Sequence, residues 1–216
     1  MTQQLRNITV LDRFLGETSH FLATAFADPG APDAAYPGKD CADSALPSSE
    51  RALSEGLMRI NHTGEIAAQA LYRGQAAVAS DLSQRQALLT AAAEEQDHLC
   101  WCQQRLTELE GRKSHLAPAW YMGSFLIGLA AGLAGDRWSL GFVEETEVQV
   151  SAHLDSHLER LPAADHRSRA VVAQMRKDEA RHAEMARAAG ARPLPKIVQK
   201  TMTQIANVMR LVSFRI

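Results

Sequence analysis

The chain has 216 residues, 46% of them hydrophobic, with a formal net charge of -2 and three cysteines. That length buries one substantial core and leaves little room for a second, so a single domain over 1–216 is expected. The near-neutral charge, without a basic tract, argues against recruitment of nucleic acid through phosphate neutralisation. Cys41, Cys100 and Cys102 form no C-x-x-C pair of a zinc ribbon or thiol-redox site.

The N-terminal segment carries Arg6, Asp12, Arg13 and Glu17 and no apolar run ahead of a small-residue cleavage site. No secretory signal is expected, and a reduced, intracellular setting fits the cysteine usage. An amphipathic helix is predicted from about Ile8 to Phe26, closing an N-terminal unit at 1–26. Pro29, Pro32, Pro37 and Pro47, with Gly30 and Gly38, then make 27–47 a loop. From Ser48 onward the chain is rich in Ala, Leu, Glu and Gln and lacks runs of Val, Ile and Thr, which makes the class all-α.

Ser48 or Ser49 is a candidate cap for a helix to about Ser80. A second helix runs from about Leu82 to Glu110 and stops at Gly111. A matching pair is predicted at Asp136 to Leu161 and Ala163 to Ala189, separated at Pro162 and ended by Gly190. These four make a bundle over 48–190, with an apolar connector at 116–135 that approaches the ~20 residues a bilayer crossing needs. Pro118, Gly123, Gly128, Gly132 and Gly135 weaken that crossing, and one span would strand the two hairpins on opposite sides of a membrane. Residues 194–216 mix Ile197, Ile205, Val208, Met209, Leu211, Val212 and Phe214 with Lys196, Lys200, Arg210 and Arg215. Such a helix suits the headgroup layer of a membrane surface, or it covers the bundle core.

Two Glu-x-x-His motifs carry the chemistry: Glu95 with His98, and Glu179 with His182. Three residues make almost one helical turn, so both side chains of a motif leave the same face. They can bind one metal while the glutamate reaches a second. A single copy means little, and a third at Glu17 and His20 is read as chance. The other two each follow a glutamate on the partner helix, Glu65 and Glu147, at nearly equal spacing. Gly64 costs its helix about 1 kcal/mol relative to alanine, and its small size would let substrate or another backbone approach.

Around Glu147 three glutamates compete. Val143, Val150, Leu154, Leu158 and Leu161 form an apolar stripe that includes Glu147, whereas Glu144 shares its side with Ser151 and Asp155 and is the runner-up. Four buried carboxylates match two divalent cations in charge, and oxygen with imidazole ligation suits iron or manganese better than structural zinc. His153 lies near the same face as Glu147 and is a candidate catalytic proton donor, or else an ordinary half-buried histidine. His62 and His157 are weaker candidates, and Cys100 and Cys102 are expected as small buried thiols.

The runs Asn61-His62-Thr63-Gly64-Glu65, Glu95-Gln96-Asp97-His98 and Asp178-Glu179-Ala180-Arg181-His182, with Glu147 followed by His153, resemble the ligand motifs of the demethoxyubiquinone hydroxylases. The likeness spans roughly residue 48 to the C-terminus. It implies a ferritin-like four-helix bundle with two iron ions, held by Glu65, Glu95, His98, Glu147, Glu179 and His182. It also implies dioxygen as co-substrate, electrons ultimately from NADH, and hydroxylation of a lipophilic polyprenyl quinol in ubiquinone biosynthesis. A peripheral position on the cytoplasmic face of the cell membrane is expected, and either a homo-oligomer or a lipid-presenting accessory protein is open. The alternatives are an iron-storage ferroxidase and a non-catalytic membrane-binding bundle. A radical-generating reductase is disfavoured because Tyr36, Tyr72 and Tyr121 stand in no context that marks a radical site.

Overall fold

The structure is a computed structural model that describes residues 10–42 and 45–216; the charge at Arg6 and the expected helix start at Ile8 lie outside them. Among the described residues there are helices and no strands: α1 Val10–Phe26, α2 Ser48–Val78, α3 Leu82–Glu108, α4 Ala117–Leu133, α5 Asp136–Arg160, α6 His166–Ala188 and α7 Lys196–Ser213. Helices α2 and α3 pair as one hairpin and α5 and α6 as the other, forming the ferritin-like bundle. Leu57 and Met58 of α2, Leu106 of α3, Leu154 of α5 and Val172 and Met175 of α6 close its core.

Three helix ends differ from expectation. Pro47, not a serine, holds the N-cap position of α2, with no side-chain cap bond. Helix α6 begins at His166 rather than Ala163, because the Asp165 carboxylate accepts from the Ser168 backbone N–H at 3.0 Å and so caps it. After α3 the left-handed residue is Glu110, at φ 57°, with Gly111 N–H donating to the Leu106 carbonyl. Gly111 is small for another reason: a Cβ there would collide with the Glu55 side chain.

Two glycines of the connector, Gly128 and Gly132, have a packing role. A Cβ on Gly128 would meet the Leu71 backbone, one on Gly132 the Val78 side chain and Gln75 backbone, and one on Gly74 of α2 the Phe125 backbone. Helix α4 therefore lies directly along α2, backbone to backbone, as small residues allow. No helix among the described residues is long and apolar enough to cross a membrane. Helix α7 is pinned at its end by the buried Arg59, which donates to the carbonyls of Phe214 and Arg112 at 2.8 Å each.

Candidate metal centre

Each hairpin presents its acidic and imidazole groups to the bundle interior. Glu65, Glu95, His98, Glu147, Glu179 and His182 are all buried, none more than 5% exposed. Ligand atoms of Glu65, Glu95, His98 and Glu179 lie within 4.8 Å of one another, as do those of Glu147, Glu179 and His182. Glu95 turns Oε2 to His98 Nδ1 at 2.9 Å and Oε1 to His182 Nδ1 at 3.3 Å. Glu179 mirrors it, with Oε1 3.1 Å from His98 Nδ1 and Oε2 3.1 Å from His182 Nδ1. The two motif glutamates thus stand between two half-sites, with Glu65 and His98 on one side and Glu147 and His182 on the other.

The outer nitrogens are braced crosswise. His98 Nε2 lies 3.3 Å from Asp178 Oδ2 and His182 Nε2 2.6 Å from Glu94 Oε2, so the residue before each motif glutamate fixes the opposite ring. Sequence reading missed both braces, although each acid adjoins a motif. It also missed Tyr72, whose hydroxyl donates to Glu147 Oε1. Tyr72 stands seven residues after Glu65, two turns along the same face, and that spacing could have revealed it.

The electrostatics call for positive charge. Burial, with Glu95 adding to it, pushes the Glu65 carboxyl well above the usual range. Burial and then Glu179 and Glu95 do the same to Glu147. Burial also opposes ionisation of Glu95, but His98 and His182 outweigh it and hold that carboxyl below its ordinary range. Burial disfavours the imidazolium of His182, yet its bonds to Glu179 and Glu95 raise it to about 11. The Glu95 Oε1 atom is buried with only the longer 3.3 Å contact to His182 Nδ1, which lies nearer Glu179 Oε2 at 3.1 Å, so no well-formed hydrogen bond satisfies it. A set of four carboxylates and two imidazoles, one oxygen unsatisfied, fits a pair of divalent cations, which would replace protons at these sites.

Other sequence candidates separate cleanly. Glu144, the runner-up to Glu147, is engaged by Arg187 at 2.7 Å on the surface. Glu17 of the third motif binds Arg73 through two bonds, at 2.7 and 2.8 Å, while His20 lies beside Thr24. Cys100 and Cys102 are buried thiols, the second against Met175. His62 is buried with both ring nitrogens unpartnered, pressed to about 3 by burial and by Lys113.

A largely apolar cavity of about 410 Å³ reaches the centre. Glu65, Glu147 and Glu179 line it beside Gly64; Trp120, Gly123, Ser124 and Ile127 of α4 and Met202, Ile205, Ala206 and Met209 of α7 form further walls. The α4 wall comes from the apolar connector, and α7, expected as a surface or cover helix, closes the other side. His153 lines the same cavity, with Nε2 buried and unpartnered. A Cβ on Gly64 or Gly123 would meet nothing within 4 Å.

Comparison with known proteins places the chain in a family. The family model described as ubiquinone biosynthesis protein COQ7 matches residues 52–213. A 3-demethoxyubiquinol 3-hydroxylase of Xanthomonas campestris pv. campestris (strain 8004) is 54% identical over 205 residues, covering 95% of this chain and 94% of that protein. The protein of the same name from Xanthomonas axonopodis pv. citri is 52% identical over 206 residues, covering 95% and 94%. That of Chromobacterium violaceum is 51% identical over 207 residues, covering 96% of this chain and all of its own length. With a matching family model over most of its length and relatives sharing half its residues, this chain belongs to the COQ7 family of ubiquinone biosynthesis proteins.

Proposed function

We propose that this chain is a 3-demethoxyubiquinol 3-hydroxylase that places one oxygen atom of dioxygen on the ring of a demethoxylated polyprenyl quinol. The observation that carries the reading is an apolar cavity ending on a buried cluster of four carboxylates and two imidazoles. Storage of iron gives no reason for an enclosed apolar approach from α4 and α7, and a purely membrane-binding bundle gives none for burying four acids.

Glu65, Glu95, His98 and Glu179 would hold one iron, and Glu147, Glu179 and His182 the other, with Glu95 also close to His182. Iron bound there would supply dioxygen chemistry, with electrons that would derive from NADH. The chain's own groups do the rest. Apolar side chains of α4 and α7 strip water from the quinol ring and direct its isoprenoid tail outward. Trp120 Nε1, buried without a partner on the cavity wall, offers an N–H to a ring oxygen. Burial holds His153 at about 2, with His157 and two arginines adding to the effect. It is therefore a neutral imidazole whose unpartnered Nε2 can form a hydrogen bond with a ring hydroxyl and orient the ring, without taking its proton.

Leu15, Leu22 and Phe26 of α1, Met122, Leu126 and Leu133 of α4, and Ile197, Val208 and Leu211 of α7 are exposed apolar residues. They make a membrane surface the source of the quinol in this reading. The test is turnover: purified protein loaded with iron, given demethoxylated quinol, dioxygen and reductant, should yield a product heavier by one oxygen. Full iron occupancy without that product would defeat the proposal.

A further inference from the structure

A second cleft, of about 600 Å³, is lined mainly by α5 and α7 and shares His153 with the apolar cavity. Three guanidinium groups line it, Arg160, Arg210 and Arg215, and no carboxylate does. Arg51, Arg73, Arg176 and Arg187 each meet an acid. By contrast, none of the three in the cleft is ion-paired among the described residues. Arg210 donates to the Asn207 side chain, and Arg160 lies 6.0 Å from the Phe214 ring centroid. Positive charge gathered without counter-charge makes the cleft attractive to an anion.

The wall supplies an independent observation. His157 is fully buried with both ring nitrogens lacking a partner, and it packs against the His153 ring at 3.9 Å between centroids. Burial and the nearby arginine charges press His157 to about 3, so it is a neutral ring with one N–H left to donate. A buried donor beside guanidinium forks calls for an acceptor with several oxygens. A phosphate offers more of them than a carboxylate does.

We infer that this cleft binds the phosphate group of an anionic ligand, with Arg160, Arg210 and Arg215 as its principal donors. Two sources share that chemistry. Because Ile60, Gln149, His153 and Arg210 line both this cleft and the apolar cavity, a lipid could seat its phosphodiester here and its chain alongside α7. A soluble phosphate would use the cleft alone.

The test compares the full-length protein with two double variants that each remove two positive charges. In Arg160→Gln/Arg215→Gln they come from the cleft; in Lys196→Gln/Lys200→Gln they come from exposed positions of α7 outside it. All are exposed, so folding is preserved. Binding is measured by calorimetry with inorganic pyrophosphate, and by sedimentation with phosphatidylcholine vesicles with and without phosphatidylglycerol. The cleft pair should weaken binding by about tenfold or more, and the lysine pair much less. Loss in the pyrophosphate arm identifies a soluble phosphate, and loss confined to phosphatidylglycerol vesicles identifies a lipid headgroup. No binding by the unaltered protein in either arm, unchanged binding by the cleft pair, or equal loss in both pairs would overturn the site.

Discussion

In the first hairpin Glu65 stands beside Gly64, whose missing side chain leaves open cavity. In the second, Glu147 takes a hydrogen bond from Tyr72 across the bundle. The inner donors are otherwise matched: Glu95 and Glu179 touch both imidazoles, and Glu94 and Asp178 brace them from outside. Duplicate motifs thus build a nearly symmetric pair of half-sites whose surroundings differ. Both carboxylates line the cavity, but Glu147 is steadied by a neighbour whereas Glu65 adjoins the open side left by Gly64. The fold supplies binding symmetry, and helix neighbours supply the direction of approach.

The sharpest way to break the comparison is to remove a proposed ligand. Glu147→Ala should abolish turnover and cut bound iron, because it leaves the second half-site with one terminal donor. Glu144→Ala should leave both largely intact, since it loses only an exposed pair worth about 0–1 kcal/mol. Metal analysis and product mass read both, and the reverse result would exchange their roles.

Filling the open side comes next. Gly64→Val should lower turnover by about 10²-fold while iron content stays near that of the parent, because the side chain displaces the ring rather than the ligands. Gly64→Ala should raise the melting temperature, removing a helix penalty of about 1 kcal/mol, yet raise KM. A variant losing iron and stability together would show that Gly64 packs against protein. The steadied side predicts less: Tyr72→Phe should keep the fold but weaken metal binding by about tenfold, as loss of a group orienting a ligand does. Titration of metal into the stripped protein checks this, and unchanged affinity would make Tyr72 a packing residue only.

The smallest effect concerns acid. His62 stays neutral in the folded chain down to about pH 3, whereas its unfolded imidazole takes a proton near 6.5. Between those values the unfolded chain binds more protons, so the stability present above the upper value is lost as pH falls toward the lower one. His62→Leu should therefore flatten the fall in denaturant midpoint between about pH 6.5 and 4. An unaltered slope would assign the acid sensitivity to other groups.

Much of this was legible in the chain. Hairpin lengths, the apolar stripe that selected Glu147 over Glu144, and the paired motifs follow from a helical period that places residues three, four and seven apart on one face. The Glu17 and His20 pair shows the limit of local pattern. It has the right spacing, but α1 presents it to Arg73 and Thr24 rather than to the centre. The Tyr72 bond to Glu147 lies outside any local motif, because its spacing of two turns from Glu65 gains meaning only once the helices pack.

By itself, then, the sequence determined an all-helical class, the duplicated arms and which six side chains would converge, because periodicity is a property of the chain. Only the tertiary structure decided that α4 lies along α2 through glycine contacts, that α7 walls the cavity, and that Tyr72, Glu94 and Asp178 reach across the bundle. Those contacts join residues distant in the chain, and their partners are set by how helices pack rather than by the spacing within any one of them.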